Sequence, residues 1–330
     1  NMAAENIGNL RTINTITPAV GDNDAITTDE GSDIVIGGAN SDTINTYLAD
    51  EDQWDYVLGD NGTITFEVDG SIQSITTSDP DVGAADTIHT QNGADIVIGG
   101  TAGDTITTGT DASGDTSRDI VLGDNGNATF DSQGRIDTIE STDTDIGGED
   151  HITTGGGPDI VLAGTDKDTV LTESGNDIVV GDSGQATFNS DKDANMAAEN
   201  IGNLRTINTI TPSIGATDTI NTHADHDTVL GGAGGDIINT SDGNDIVLGD
   251  NGQAAFDISE LLQWIQTSDP AVGDSDHLLL GDGNDVAIGG AASDYINVSP
   301  TDPSVLQGTD TGADIILGDN GRIDLHGSSA

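Results

Sequence analysis

The residues that could do chemistry in this chain are aspartates set against glycines. Of its 59 acidic residues only nine are Glu, and the other fifty are Asp. The shorter acid suits turns and the ligation of hard cations. These aspartates recur every nine residues, most cleanly as Asp150, Asp159, Asp168, Asp177 and as Asp218, Asp227, Asp236, Asp245. The fullest nine-residue run is Gly231-Gly232-Ala233-Gly234-Gly235-Asp236-Ile237-Ile238-Asn239. Its glycines allow positive φ and a close backbone approach, and they leave main-chain carbonyls exposed. Its Asp sits where a carboxylate reaches an ion held in the turn. The residues after it form a three-residue strand with the middle side chain inward. Parallel turns stack at about 4.8 Å, so neighbouring carboxylates repel by roughly a kcal/mol or more per pair. A divalent ion between turns reverses that sign. Calcium accepts carboxylate and carbonyl oxygens together, and with no Cys the chain offers no soft ligand for zinc or copper.

The elements that carry these aspartates are repeats. GDNG stands at Gly59–Gly62, Gly123–Gly126, Gly249–Gly252 and Gly318–Gly321, with GDSG at Gly181–Gly184, at spacings of 64, 58, 68 and 69 residues. Seven residues after each first glycine comes Phe66, Phe130, Phe188, Phe256 and then Leu325. The spacing predicts five tandem units: 1–68, 69–130, 131–188, 189–256 and 257–330. Each holds four Asp-led rungs, which adds Asp24, Asp33, Asp42, Asp55, then Asp86, Asp95, Asp104, Asp119, then Asp276, Asp285, Asp294, Asp314 to the eight above. Insertions fall only before the fourth rung, so that turn must face open space. Residues 1–18 recur unchanged at 195–212. This near-identity points to recent duplication and to a piece of a longer array. Between units lie two apolar runs split by Asp69-Gly70 or its equivalent, readable as a hairpin or as two longer rungs. Ile258–Gln266 is the one helix candidate, in a place where the period favours a strand.

Odd and even rungs differ in pattern. Odd rungs read like Asp-Thr-Ile-Asn, as at Thr43-Ile44-Asn45, polar on both flanks. Even rungs read Asp-Ile-Val-Leu, as at Ile120-Val121-Leu122. With Val inward, the even rungs turn two large apolar residues outward, a larger patch than a soluble monomer exposes. It must be covered, either by the intervening runs with their Phe residues or by a second copy of the array. Self-association through this apolar outer face of the even rungs is therefore an expected partnership, beside calcium.

A net charge of −52 excludes nucleic acid and an anionic membrane as partners, and no apolar run approaches the 18 residues of a membrane span. Regular apolar periodicity argues against the disorder that such charge otherwise implies. Residues 1–20 carry no signal-peptide pattern.

Gly231–Asn239 fits G-G-x-G-x-D-x-U-x at every fixed position, and the chain thereby resembles the RTX (repeats-in-toxin) calcium-binding family. Gly99–Asp104 and Gly37–Asp42 keep the leading glycines and lose the fourth, and Thr28–Asp33 lacks the leading pair. The resemblance implies an all-β chain: a parallel β-roll or β-solenoid of about twenty rungs, with hairpin-like or longer rungs between units. It implies many Ca2+ ions between turns, bound by the motif aspartates and by carbonyls of the glycine turns. The positions that inherit this role are Asp33, Asp42, Asp95, Asp104, Asp159, Asp168, Asp177, Asp227, Asp236, Asp245, Asp285 and Asp294, with Gly231 and Gly234. The second residue of each GDNG (Asp60, Asp124, Asp250, Asp319) is either a further ligand or an ordinary turn Asp.

Signals of catalysis are weak. Gly181-Asp182-Ser183-Gly184 resembles a serine-protease nucleophile motif but occupies a GDNG slot, and His223 and His226 make an incidental HxxH. No enzyme is expected. The leading expectation is a secreted or cell-surface bacterial calcium-binding structural protein: a spacer, matrix or filament element rigidified by Ca2+. The alternatives are an adhesin or ice-binding module using the Thr/Asn outer face, or the accessory roll of a secreted enzyme.

Overall fold

Three-residue runs of Val, Ile, Thr and Leu behind each rung aspartate suit a pleated, half-buried surface, and all twenty form strands. The computed structural model describes residues 10–46, 54–109, 114–189, 203–257, 259, 261–306 and 311–325. Most of the duplicated insertion, at 1–9 and 195–202, lies outside them, as do Ile258 and Glu260. Among the described residues every regular element is a strand, and no helix is long and apolar enough to cross a membrane.

Successive rungs alternate between two ten-stranded parallel sheets. Odd rungs, from Ala25–Thr28 to Tyr295–Ile296, build the outer sheet, and even rungs, from Ile34–Ile36 to Ile315–Asp319, the central one. Registers are unbroken. Ile44, Ile88, Ile106, Ile152 and Val170 stack in the outer sheet. Val57, Val97, Val121, Val161 and Val179 stack in the central sheet. These middle side chains face each other and make one fully buried core.

The runs between units are hairpins, not longer rungs. Gly62–Phe66 pairs antiparallel with Ile72–Thr77, and Gly126–Phe130, Gly184–Asn189 and Gly252–Phe256 pair likewise with the runs that follow them. Gly70, at φ 98°, closes the first turn. Leu262–Thr267, which overlaps the former helix candidate Ile258–Gln266, is a strand. Each hairpin shifts register just before its phenylalanine. Phe66, Phe130 and Phe188 are buried.

The hairpins join into a third ten-stranded sheet laid over the outward face of the central one. A second core fills this interface: Ile96, Ile98, Ile120 and Leu122 from even rungs meet Ile64, Phe66, Ile75, Phe130 and Ile139 from the hairpins. This corrects the expectation of self-association through the apolar face of the even rungs. That face is covered within the chain: its large residues are exposed at the end rungs, as at Ile34 and Ile315, and only partly buried at Tyr56, Ile178 and Ile246. The insertion before the last rung folds as an exposed small hairpin, Val298–Ser299 with Asp302–Leu306.

Candidate metal centre

Each rung aspartate is the last turn residue before a strand, so the parallel stacking of strands also stacks the aspartates. The backbone N–H of each donates to Oδ1 of the aspartate one rung on in the same sheet. In the outer sheet nine such bonds of 2.6–3.1 Å link Asp24, Asp42, Asp86, Asp104, Asp150, Asp168, Asp218, Asp236, Asp276 and Asp294. In the central sheet nine more, of 2.8–3.1 Å, link Asp33, Asp55, Asp95, Asp119, Asp159, Asp177, Asp227, Asp245, Asp285 and Asp314. The aspartates are thus brought into two continuous columns, one along each edge of the roll.

One oxygen of each carboxylate is used in this way. The other, Oδ2, is buried without a hydrogen-bond partner at Asp42, Asp86, Asp104, Asp150, Asp168, Asp218, Asp236, Asp276 and Asp294 in the outer-sheet column, and at Asp33, Asp95, Asp119, Asp159, Asp177 and Asp245 in the central-sheet one. A buried oxygen with a formal charge and no partner is costly. Burial, the largest influence, pushes Asp86 and Asp218 up to about 7 and Asp276 up to about 8. Asp168 is pushed up to about 11, by burial first and then by the adjacent Asp150 and Asp218 carboxylates.

The residue after each even-rung triplet faces the next outer-sheet aspartate. In the first cradle it is Gly37, and a Cβ built there would lie 2.6 Å from Asp42 Oδ2, with the carbonyl of Gly59 closer still. The same pair of oxygens, one carboxylate and one main-chain carbonyl from the next even rung, converges on Gly59, Gly99, Gly123, Gly181, Gly231, Gly249 and Gly289. Where hairpins or loops intervene the spacing in sequence changes, but the place in the turn does not. Gly231 is therefore in this column. Gly234, at φ 116°, is not: its carbonyl accepts the Asp274 N–H at 3.1 Å.

GDNG serves a different purpose. Asp60 accepts the N–H of Ala84 on Oδ1 (3.2 Å) and of Thr101 on Oδ2 (2.6 Å). Asp124 accepts Gly148 and Thr165 in the same way, and Asp250 accepts Asp274 and Ala291. Each ties the hairpin root to the next rung's turn. Asp182 of the GDSG variant does the same with Ala216 and Ala233 and was missed as a site residue, although it occupies the GDNG slot. Asn61 and Asn251 donate to the carbonyls of Val82 (2.9 Å) and Pro212 (3.1 Å). Asp319 lies exposed at the last such turn, where its charge helps raise Asp294. Ser183 is buried at a hairpin root. His226 takes the Asn244 N–H on Nδ1 at 2.9 Å, inside a turn ladder.

Among the described residues no group of three or more His, Asp or Glu side chains converges on one point. A cation here would take its oxygens from one or two carboxylates and several main-chain carbonyls, the mixture calcium accepts. The orphaned Oδ2 atoms and the glycine cradles fit that ion. Asp24, Asp55, Asp86, Asp119, Asp150, Asp218, Asp276 and Asp314 are full members of the two columns that motif fidelity alone had passed over; the nine-residue period was the signal for them.

A family model, the RTX calcium-binding nonapeptide repeat (4 copies), matches residues 19–48, 83–113, 147–187, 216–253 and 271–299, together just over half of the chain. The matched segments cover most of the stacked rungs, though not Tyr56–Leu58, Ile120–Asp124 or Ile315–Asp319, and of the third sheet they reach only the starts of the hairpin strands Gly184–Asn189 and Gly252–Phe256. No curated protein matches the chain.

Proposed function

Because this chain belongs to the RTX calcium-binding nonapeptide repeat family and binds calcium at multiple sites, we propose that it is a secreted structural element, a spacer or matrix component stiffened by Ca2+ and without catalytic activity of its own. The observation that carries this reading is the pair of aspartate columns. They run the length of the stack through both parallel sheets, and an ion in a glycine cradle would tie an outer-sheet carboxylate to a carbonyl of the next even rung. Ten rungs at about 4.8 Å make a stack near 50 Å long. Outside the cell, millimolar calcium fills even weak sites, so that folding can await export. Electron microscopy of the chain with and without calcium tests this. Discrete straight rods, or filaments of them, are expected with calcium, and flexible particles of the same shape in both conditions would sink it.

A second reading rests on the outer sheet. Thr43, Thr87, Thr105, Thr169 and Thr219 stand in one register column on its open face, interrupted by His151. A flat hydroxyl array of this kind suits an adhesive or ice-binding surface. Thermal hysteresis in a cooled solution would separate it from the spacer reading.

A further inference from the structure

The two edges of the roll are not chemically equivalent. The residue after an even-rung triplet, where it faces an outer-sheet aspartate, is glycine at eight places and Ala163 at a ninth, whereas the residue after the odd-rung triplets is threonine from Thr28 to Thr240, with Leu280 next. Thr90 precedes Asp95, Thr154 precedes Asp159, Thr172 precedes Asp177 and Thr222 precedes Asp227. These threonines are 0–1% exposed, so their side chains fill the space that glycine leaves open on the other edge. Thr222 Oγ1 donates to Asp227 Oδ2 at 2.6 Å. At the other three the hydroxyl favours the ionised carboxylate without closing a bond, and Oδ2 of Asp95, Asp159 and Asp177 stays unpartnered, so the edges differ in the space the threonine side chains occupy rather than in how many carboxylates are satisfied. No side-chain donor faces Asp86, Asp104, Asp150 or Asp236. Their Oδ2 atoms, all at most 2% exposed, point at a glycine and share that space with a carbonyl.

We propose that calcium is bound along the glycine edge only, by the outer-sheet aspartates, and that on the other edge the buried threonine side chains occupy the cradle and keep ions out. The inference rests on the calcium-binding reading of the family and narrows it to half of the aspartates. Asp95, Asp159, Asp177, Asp227 and Asp245, though they keep the nonapeptide period, then hold no ion. The glycine edge offers eight cradles. The ninth position of that column is Ala163, completely buried, whose methyl occupies the point where the two oxygens converge elsewhere. Asp168 beside it is left without an ion.

The test is the calcium content of the full chain after equilibrium dialysis in about 0.5 M KCl, which screens the exposed carboxylates. No more than eight ions per chain are expected. Asp104→Asn lowers the count, Asp119→Asn leaves it unchanged, and Ala163→Gly raises it by one. A count well above eight in the unaltered chain, which needs no variant to fold, overturns the asymmetry, as does an equal loss from Asp104→Asn and Asp119→Asn. A chain that binds no calcium at all overturns the calcium reading itself, a result distinct from either. Terbium luminescence excited through bound ions gives an independent readout and should fall with Asp104→Asn but not with Asp119→Asn.

Discussion

The N–H of Asp104 donates to Oδ1 of Asp150 at 2.6 Å, across 46 residues that hold another rung and a complete hairpin. The same bond joins Asp168 to Asp218 across 50 residues and Asp86 to Asp104 across 18. The ladder is indifferent to what is looped out between its steps. Loop closure explains why: its entropy grows only slowly with length, whereas losing a buried acceptor costs about 1–3 kcal/mol. The aspartates therefore set the register, and hairpins of varied length hang from one edge.

Calcium removal should reverse the usual pH dependence of stability. Burial raises Asp86 and Asp218 to about 7, Asp276 to about 8 and Asp124 to about 9, all from 3.8. For an acid whose folded value lies above its unfolded one, the stabilisation is complete below the unfolded value and is lost as pH rises through the folded one. The calcium-free chain should thus be most stable near pH 4 and lose structure between about pH 6 and 9. Thermal unfolding followed by circular dichroism in a chelator, at a series of pH values, checks this. A melting temperature that climbs with pH would contradict it. With excess calcium the slope should vanish or invert, because protons then compete with the ion.

Asp124→Asn separates a staple from a ligand. Both Asp124 oxygens accept backbone N–H groups, from Gly148 and Thr165. An amide turns one acceptor into a donor facing an N–H, and the loss should be about 1–3 kcal/mol in urea unfolding. Calcium content should stay as it was, since the glycine cradles are untouched. A drop in bound calcium without loss of stability would make Asp124 a ligand after all.

Much of this was legible in the sequence, for reasons visible at single residues. The nine-residue Asp period marked all but three rungs, and an Asp-led apolar triplet marked Asp55, Asp119 and Asp314 after their insertions, because one carboxylate per turn is needed to continue the ladder. The Ile-Val-Leu of even rungs marked a doubly covered sheet, since a half-exposed strand alternates. What covers it was not decidable: Phe66 and Ile75 fit a lid over the same chain as well as a seam between two. The function of GDNG was also hidden. Asp60 bonds to Thr101, 41 residues away, and no local pattern reveals a partner at that distance. The Gly-against-Thr difference between the edges was in plain view at Gly231 and Thr240, but it gains meaning only once the two columns are known to lie on opposite sides.

The hairpin cover is the last point open to measurement. Phe130 is buried against the central sheet and meets Tyr56 edge-on, with ring centroids 6.4 Å apart. Phe130→Ala removes that contact and leaves a cavity, at a cost of about 3–5 kcal/mol. The damage should be local, because the ladder bonds of Asp95 and Asp119 run through the other edge of the same strands. Hydrogen exchange should accordingly quicken in Gly126–Phe130 and Ile136–Ser141 while Ile96–Gly100 and Ile120–Asp124 stay protected. The uncovered Ile98 and Leu122 should then drive the association that the intact chain avoids, visible as a concentration-dependent mass in light scattering. Equal loss of protection in all four strands would mean that hairpin and rungs unfold as one unit, and a variant that stays monomeric would mean that the even-rung face tolerates water.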